Sequence, residues 1–330
     1  MKKHHLQPLS VYLLLFFGVF ACTDHVEPIP EPTQFAVSDF ASGLRAPIGM
    51  VVDEKGQLWV SEAGTGNNDG SIVMITPGGL KTTVLTGFLS AASPEGGPEG
   101  LSHLYYENGK LYVLHGLEGF LYIVDVSNFK ASDPAMALNL VPKEDIGTYV
   151  KTLNLTNPLN SNAFSLTKGP DGHFYIGDAG ANAIIKRDKD THALSLFAKI
   201  PGPSMTVDAV PTGIVFDGTK FLVSQLTGFP FASGVANVFQ VTTDGTVSVH
   251  KSGFTTLTHL TLTVNNKPLL LHFGDFALPD GFLPFTGSIL NEDGTVLLGG
   301  LMMPTDIKRS GDRTFYVQSY ALGTIQKLTY

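Results

Sequence analysis

The sequence predicts an all-β chain folded as a six-bladed β-propeller, and three observations carry that prediction. The first is a repeat. Six short apolar segments, 58–62, 111–115, 174–178, 221–225, 268–272 and 315–319, end in Glu62, His115, Asp178, Gln225, His272 and Ser319. Their second residues stand at 59, 112, 175, 222, 269 and 316, and the last three intervals are all 47 residues. Self-similarity at this period in a strand-rich chain marks propeller blades. The second is composition. The 330 residues include 36 Gly and are only 15% charged, and no segment after the N-terminus keeps a helical stripe. Short Val/Ile/Phe/Tyr runs between Gly, Asp and Asn read as strands and turns. The third is a divided last repeat, described below.

Taken in chain order, residues 1–21 read as a lipoprotein signal peptide. Lys2 and Lys3 precede an apolar stretch, 13–20, too short to span a bilayer as a mature helix. It ends Val19-Phe20-Ala21-Cys22, which resembles a bacterial lipobox, and Cys22 is the only cysteine, so no intramolecular disulfide competes for it. Lipidation at Cys22 would anchor the protein to the membrane of a bacterial cell envelope, with the outer membrane the expected location. An ordinary signal peptide cut near Ala21 is the other reading. Residues 22–33, with Pro28, Pro30 and Pro32, read as a semi-extended tether.

Residues 34–330 hold the blades. Blade 1 is read as strands 48–52, 58–61, 71–76 and 81–86, with a turn at Asp53-Glu54-Lys55-Gly56. Blade 2 begins near Glu99 and includes 111–114 and 120–124. Blade 3 takes 163–167, 174–177, 183–187 and 194–198; blade 4 takes 213–216, 221–224, 237–242 and 247–250; blade 5 takes 260–264, 269–271, 287–290 and 296–298. Blade 6 has only 306–309, 314–317 and 324–328 before the chain ends. Its missing strand has a copy at 34–43, which resembles 81–87 of blade 1; pairing that copy with 324–328 would close the ring and remove two sheet edges. Residues 131–161 fit no repeat and read as an insertion on one face.

Several segments resemble the ScyD/ScyE family of secreted propellers. They are Gly43-Leu44-Arg45-Ala46-Pro47-Ile48-Gly49, Glu62-Ala63-Gly64-Thr65-Gly66, Thr86-Gly87-Phe88-Leu89-Ser90, Pro211-Thr212-Gly213-Ile214 and Leu226-Thr227-Gly228-Phe229-Pro230-Phe231. The resemblance covers most of 35–330 and implies the fold and export. It brings no settled reaction with it.

The formal charge of −8 argues against nucleic acid, whose binders need a basic face. A monomer is expected. In a propeller the second strands run toward the face where the inner strands start. Glu62, His115, Asp178, Gln225 and His272 are therefore expected at one mouth, with Arg45, Glu99, Asn162, Thr212, His259 and Asp306 at the inner-strand starts. Polar convergence at a concave mouth is the default ligand site, and it would take a small polar molecule, a glycan or an envelope protein. A solvated rim with no ligand is the plain alternative. Carboxylates with an amide suit Ca²⁺, and added imidazole suits Zn²⁺. The second functional reading is a metal-assisted hydrolase or lactonase resembling the gluconolactonase-type propellers, for which Glu99, Asn162 and Asp306 would supply the three oxygen ligands; no catalytic residue is assigned. Trp59, Tyr112, Tyr175 and Tyr316 read as packing between blades.

Overall fold

The computed structural model describes Met1, residues 27–93 and residues 96–330. The signal peptide and Cys22 fall on residues outside these, apart from Met1. The chain divides into two units, Met1–Pro30 and Glu31–Tyr330, and the second is the propeller.

Six four-stranded antiparallel sheets form its blades. The inner strands are Pro47–Val52, Leu101–Glu107, Ala163–Lys168, Pro211–Phe216, Leu257–Leu262 and Pro304–Gly311 for blades 1 to 6. Each touches the next, and the sixth touches the first. Closure is made as the sequence predicts. Ala36–Ala41 pairs with Thr324–Thr329 as the outer strand of blade 6, with Ala36 opposite Thr329 and Val37 opposite Leu328. Just before it, Phe35 packs edge-on against Phe315, 5.6 Å between ring centroids. Apolar side chains fill the wedges between blades. Trp59, Met74, Phe88 and Val124 lie between blades 1 and 2, and Leu58, Val60, Tyr316 and Ile325 between blades 6 and 1. Strands such as Leu58–Glu62 and Gly70–Ile75 are buried along their whole length, because a blade is covered on both faces.

All six inner strands carry a break in register near their start, after Pro47, Leu101, Ala163, Pro211, Leu257 and Pro304. Such a bulge frees a residue from the ladder and re-aims its side chain. Next to it, one side chain in each blade bonds to a carbonyl of the following blade. Ser61 donates to Ser102 O at 2.5 Å, His103 Nδ1 meets Phe164 O at 3.1 Å, and Ser165 donates to Thr212 O. Thr212 donates to Leu257 O at 2.7 Å, Thr258 to Pro304 O at 2.9 Å and Thr305 to Pro47 O at 2.8 Å. The ring is thus stitched around its axis in one direction by buried hydrogen bonds, each worth about 1 kcal/mol net.

The stretch 131–161 differs from its reading as a pure insertion. Lys143–Asp145 is the outer strand of blade 2, pairing with 120–122, and the helix Gly147–Thr152 follows it. The strand has three residues and is wholly charged, so it shows no apolar alternation. Pairing and the Lys143 ammonium, 3.7 Å over the Phe120 ring, hold it in place.

Candidate functional site

Of the polar residues that end the second strands, Glu62, His115, Asp178, Gln225 and His272 are buried side chains tied to loops, and His272 also lines a cavity of about 540 Å³ with Thr255, Ser288 and Glu292. The physical cause is the chain path. Here the backbone leaves the second strand for a loop, and its amides lose their ladder partners. Glu62 accepts the amide of Arg45 at 2.9 Å and the hydroxyl of Ser71. Asp178 accepts the Ser161 hydroxyl at 2.6 Å and the amides of Asn162 and Ala181 at 2.8 and 2.9 Å, while burial raises its pKa. His115 accepts the amide of Glu118 on Nδ1 at 3.1 Å, so Nε2 carries the proton and donates to Leu89 O at 3.0 Å. Gln225 accepts the Asn237 amide at 3.0 Å, and His272 Nδ1 sits 3.3 Å from the Ser288 hydroxyl. Burial lowers the pKa of both histidines. Arg45 lies apart, about half exposed and 3.2 Å from Asp69. The expected single mouth of these side chains is corrected to a set of buried loop ties.

The residues read as inner-strand starts also separate, because they occupy different levels. Glu99 stands two residues before its strand and Asn162 one before, whereas His259 and Asp306 stand two residues inside theirs. Glu99 and Asn162 stay on the face. His259 and Asp306 enter the axis, where His103 joins them.

The third residues of the inner strands are Gly49, His103, Ser165, Gly213, His259 and Asp306. His103 and His259 come from blades 2 and 5, on opposite sides of the ring, and their rings stack at 4.6 Å with 10° between planes. They meet because the ring is narrow there. A Cβ on Gly49 would lie 2.6 Å from the His103 Cα, and one on Gly213 would lie 2.8 Å from the Leu260 amide. Asp306 Oδ1 is 3.2 Å from His259 Nε2, and Asp306 Oδ2 is 3.7 Å from His103 Nε2. Asp306 Oδ2 also accepts the Met50 amide at 2.8 Å. Lys308 Nζ lies 2.8 Å from His259 Nε2 and 3.3 Å from Asp306 Oδ1.

Protonation follows from these partners. A carbonyl can only accept, so His103 Nδ1 carries the ring proton toward Phe164 O and Nε2 presents a lone pair. The Lys308 ammonium can only donate, so His259 Nε2 presents a lone pair as well. Burial, with Lys308 nearby, pushes His103 down to about 3 and His259 well below its ordinary value. Burial lifts Asp306 to about 6, against the pull of Lys308. Near neutral pH the cluster is two neutral imidazoles, a carboxylate and an ammonium. His103, His259 and Asp306 each offer a ligand atom within 4.8 Å of the others, so the trio could hold a metal ion. The missed member was readable. Leu101-Ser102-His103-Leu104 repeats as Leu257-Thr258-His259-Leu260 at the same blade position.

Among the loops of blades 2 to 4, on the face where the inner strands start, lies a cavity of about 420 Å³ lined by Glu99, Lys151, Asn160, Asn162 and Asp208 among others. It adjoins a second, of about 830 Å³, which shares Asn160, Gly180 and Asp208. Lys151 is delivered by the helix Gly147–Thr152, and Asp208 is held by the Asn182 amide at 2.7 Å. On the same face the loops after the second strands of blades 4 and 5 bring Phe229, Phe231, Phe276 and Phe282 together, with centroids 5.0 to 6.2 Å apart.

No family model and no curated protein matches the chain. Solved propellers do. A Bacteroides thetaiotaomicron protein of unknown function is 13% identical with a TM-score of 0.60, over 90% of this chain and 76% of that one. Virginiamycin B lyase from Staphylococcus aureus is 14% identical with a TM-score of 0.52, over 90% and 100%. A protein described as a gluconolactonase is 12% identical with a TM-score of 0.53, over 90% and 93%. At these identities the likeness establishes the six-bladed fold alone.

Proposed function

We propose that this is a ScyD/ScyE-type propeller of the bacterial cell envelope, lipid-anchored at Cys22, that binds a small polar molecule or a glycan on the face where its inner strands start. One observation carries the reading. A single cavity on that face gathers two carboxylates, two amides and an ammonium, from Glu99, Asp208, Asn160, Asn162 and Lys151. Such a set pairs with hydroxyls, amines and carboxylates of a polar ligand and suits no apolar one.

The test is saturation-transfer NMR with a panel of mono- and oligosaccharides and amino acids. A ligand from the panel should bind wild type and be lost in the folded Asn160→Ala/Asp208→Ala variant. Binding that survives the double variant, or an empty screen, refutes the site. The second reading, a metal-assisted hydrolase or lactonase using a divalent ion such as calcium or zinc, is favoured by the His103, His259 and Asp306 trio. It predicts turnover of lactone substrates that a chelator abolishes.

A further inference from the structure

We propose that His103, His259 and Asp306 form a binding site for a divalent transition-metal ion, and that the Lys308 ammonium is the cation the metal displaces. This site is separate from the ligand cavity, and either can stand if the other fails. The first ground is unmet valence. His103 Nε2 and Asp306 Oδ1 are buried without a hydrogen-bond partner. Orphaned buried acceptors cost about 1–3 kcal/mol each. Lys308 compensates only part of this, its ammonium being shared between His259 Nε2 at 2.8 Å and Asp306 Oδ1 at 3.3 Å. One ion can meet all three residues.

Geometry and chemistry agree with that. Ligand atoms about 2.0–2.2 Å from a tetrahedral ion stand about 3.3–3.6 Å from one another; Asp306 Oδ1 is 3.2 Å from His259 Nε2, and one ligand atom of each of the three residues lies within 4.8 Å of the others. Two imidazoles and one carboxylate select zinc and its neighbours over calcium, which takes six or more oxygens. Outer partners are already set. Phe164 O fixes the His103 tautomer at 3.1 Å, and the Met50 amide holds Asp306 Oδ2 at 2.8 Å, leaving Oδ1 to coordinate. Lys308 is 23% exposed, so its side chain has a way out to solvent. Replacing its charge with the ion's keeps the carboxylate neutralised. Ligands from blades 2, 5 and 6 would tie the ring across its axis.

The full chain is titrated with Zn²⁺ against a chromophoric chelator, with Ca²⁺ in parallel, and melted with and without metal. One Zn²⁺ per chain and a higher Tm are expected, with no response to Ca²⁺. Lys308→Met should tighten Zn²⁺ binding by about tenfold or more, because the competing cation is gone. His103→Gln should weaken it by at least about 100-fold, and His250→Gln, at the surface pair His250–Glu292, should leave it unchanged. Should His103→Gln fail to fold, X-ray absorption of Zn²⁺-loaded wild type decides, with two imidazoles in the first shell expected. No stoichiometric Zn²⁺ in either wild type or Lys308→Met, loss of binding in His250→Gln, or an all-oxygen shell would overturn the proposal.

Discussion

Acid should weaken this protein through His103, and the size of the effect follows from its burial. Its pKa falls from an ordinary 6.5 to about 3 in the folded chain. The unfolded chain therefore takes the proton first. The stability that this difference supports is complete above about pH 6.5 and is lost as pH falls toward 3. At about 1.4 kcal/mol per pH unit, a fall from pH 7 to pH 5 crosses one and a half units of that window and costs about 2 kcal/mol. Asp306 works in the opposite direction. Its folded value of about 6 lies above the ordinary 3.8, so the folded chain takes this proton first and gains stability as pH falls through that range. Urea unfolding of wild type and His103→Gln at pH 7, 6 and 5, with a chelator present, separates the two. The free-energy gap between the proteins should shift by about 2 kcal/mol against wild type, while Asp306→Asn should shift the gap the other way. Parallel pH curves for wild type and His103→Gln would refute the argument, because then the imidazole is not desolvated.

Four other outcomes follow from the same contacts. Deleting residues 34–42 strips the outer strand from blade 6 and the Phe35 ring from Phe315, so the melting temperature should collapse; an unchanged melt defeats the closure. Gly49→Ala drives a Cβ to 2.6 Å from the His103 Cα and should cost more than about 2 kcal/mol in urea unfolding, and a neutral result would mean that blades 1 and 2 can part freely there. Thr305→Val removes the hydroxyl that joins blade 6 to Pro47 O at 2.8 Å and should cost about 1–2 kcal/mol; stability within error of wild type would make the stitching ornamental. Cys22→Ala should move the protein from membrane to soluble fractions, and identical fractionation would remove the lipid anchor.

The fold was legible because a propeller writes the same signal many times. The apolar run at each second strand recurs, and its partner strands are bounded by Gly and Asp turns. The split blade could be read for the same reason: Ala36–Ala41 is a copy of a strand the chain already contains. The outer strand of blade 2 escaped because it carries Lys143, Glu144 and Asp145 and buries no apolar stripe. Its place is fixed by the neighbour it pairs with, which lies some twenty residues earlier in the chain.

The axial cluster was harder to see for a geometrical reason. Alignment on the second strands gave the right face, yet the residues at that phase are spent on loop amides. The axis is reached by the third residue of each inner strand, past a bulge that shifts the count between the strands by one residue. A frame set on the second strands therefore groups Glu99 and Asn162 with His259 and Asp306, which lie at a different depth. His103 was hidden in an apolar run, where a lone histidine reads as packing. It becomes informative only when set beside His259, three blades away, with the same Leu-Ser/Thr-His-Leu frame. A six-fold ring places those two positions opposite each other. A pair of histidines at opposite positions and equal depth must then meet at the axis, and the carboxylate and ammonium of blade 6 are the counter-charges that let such a pair stay buried.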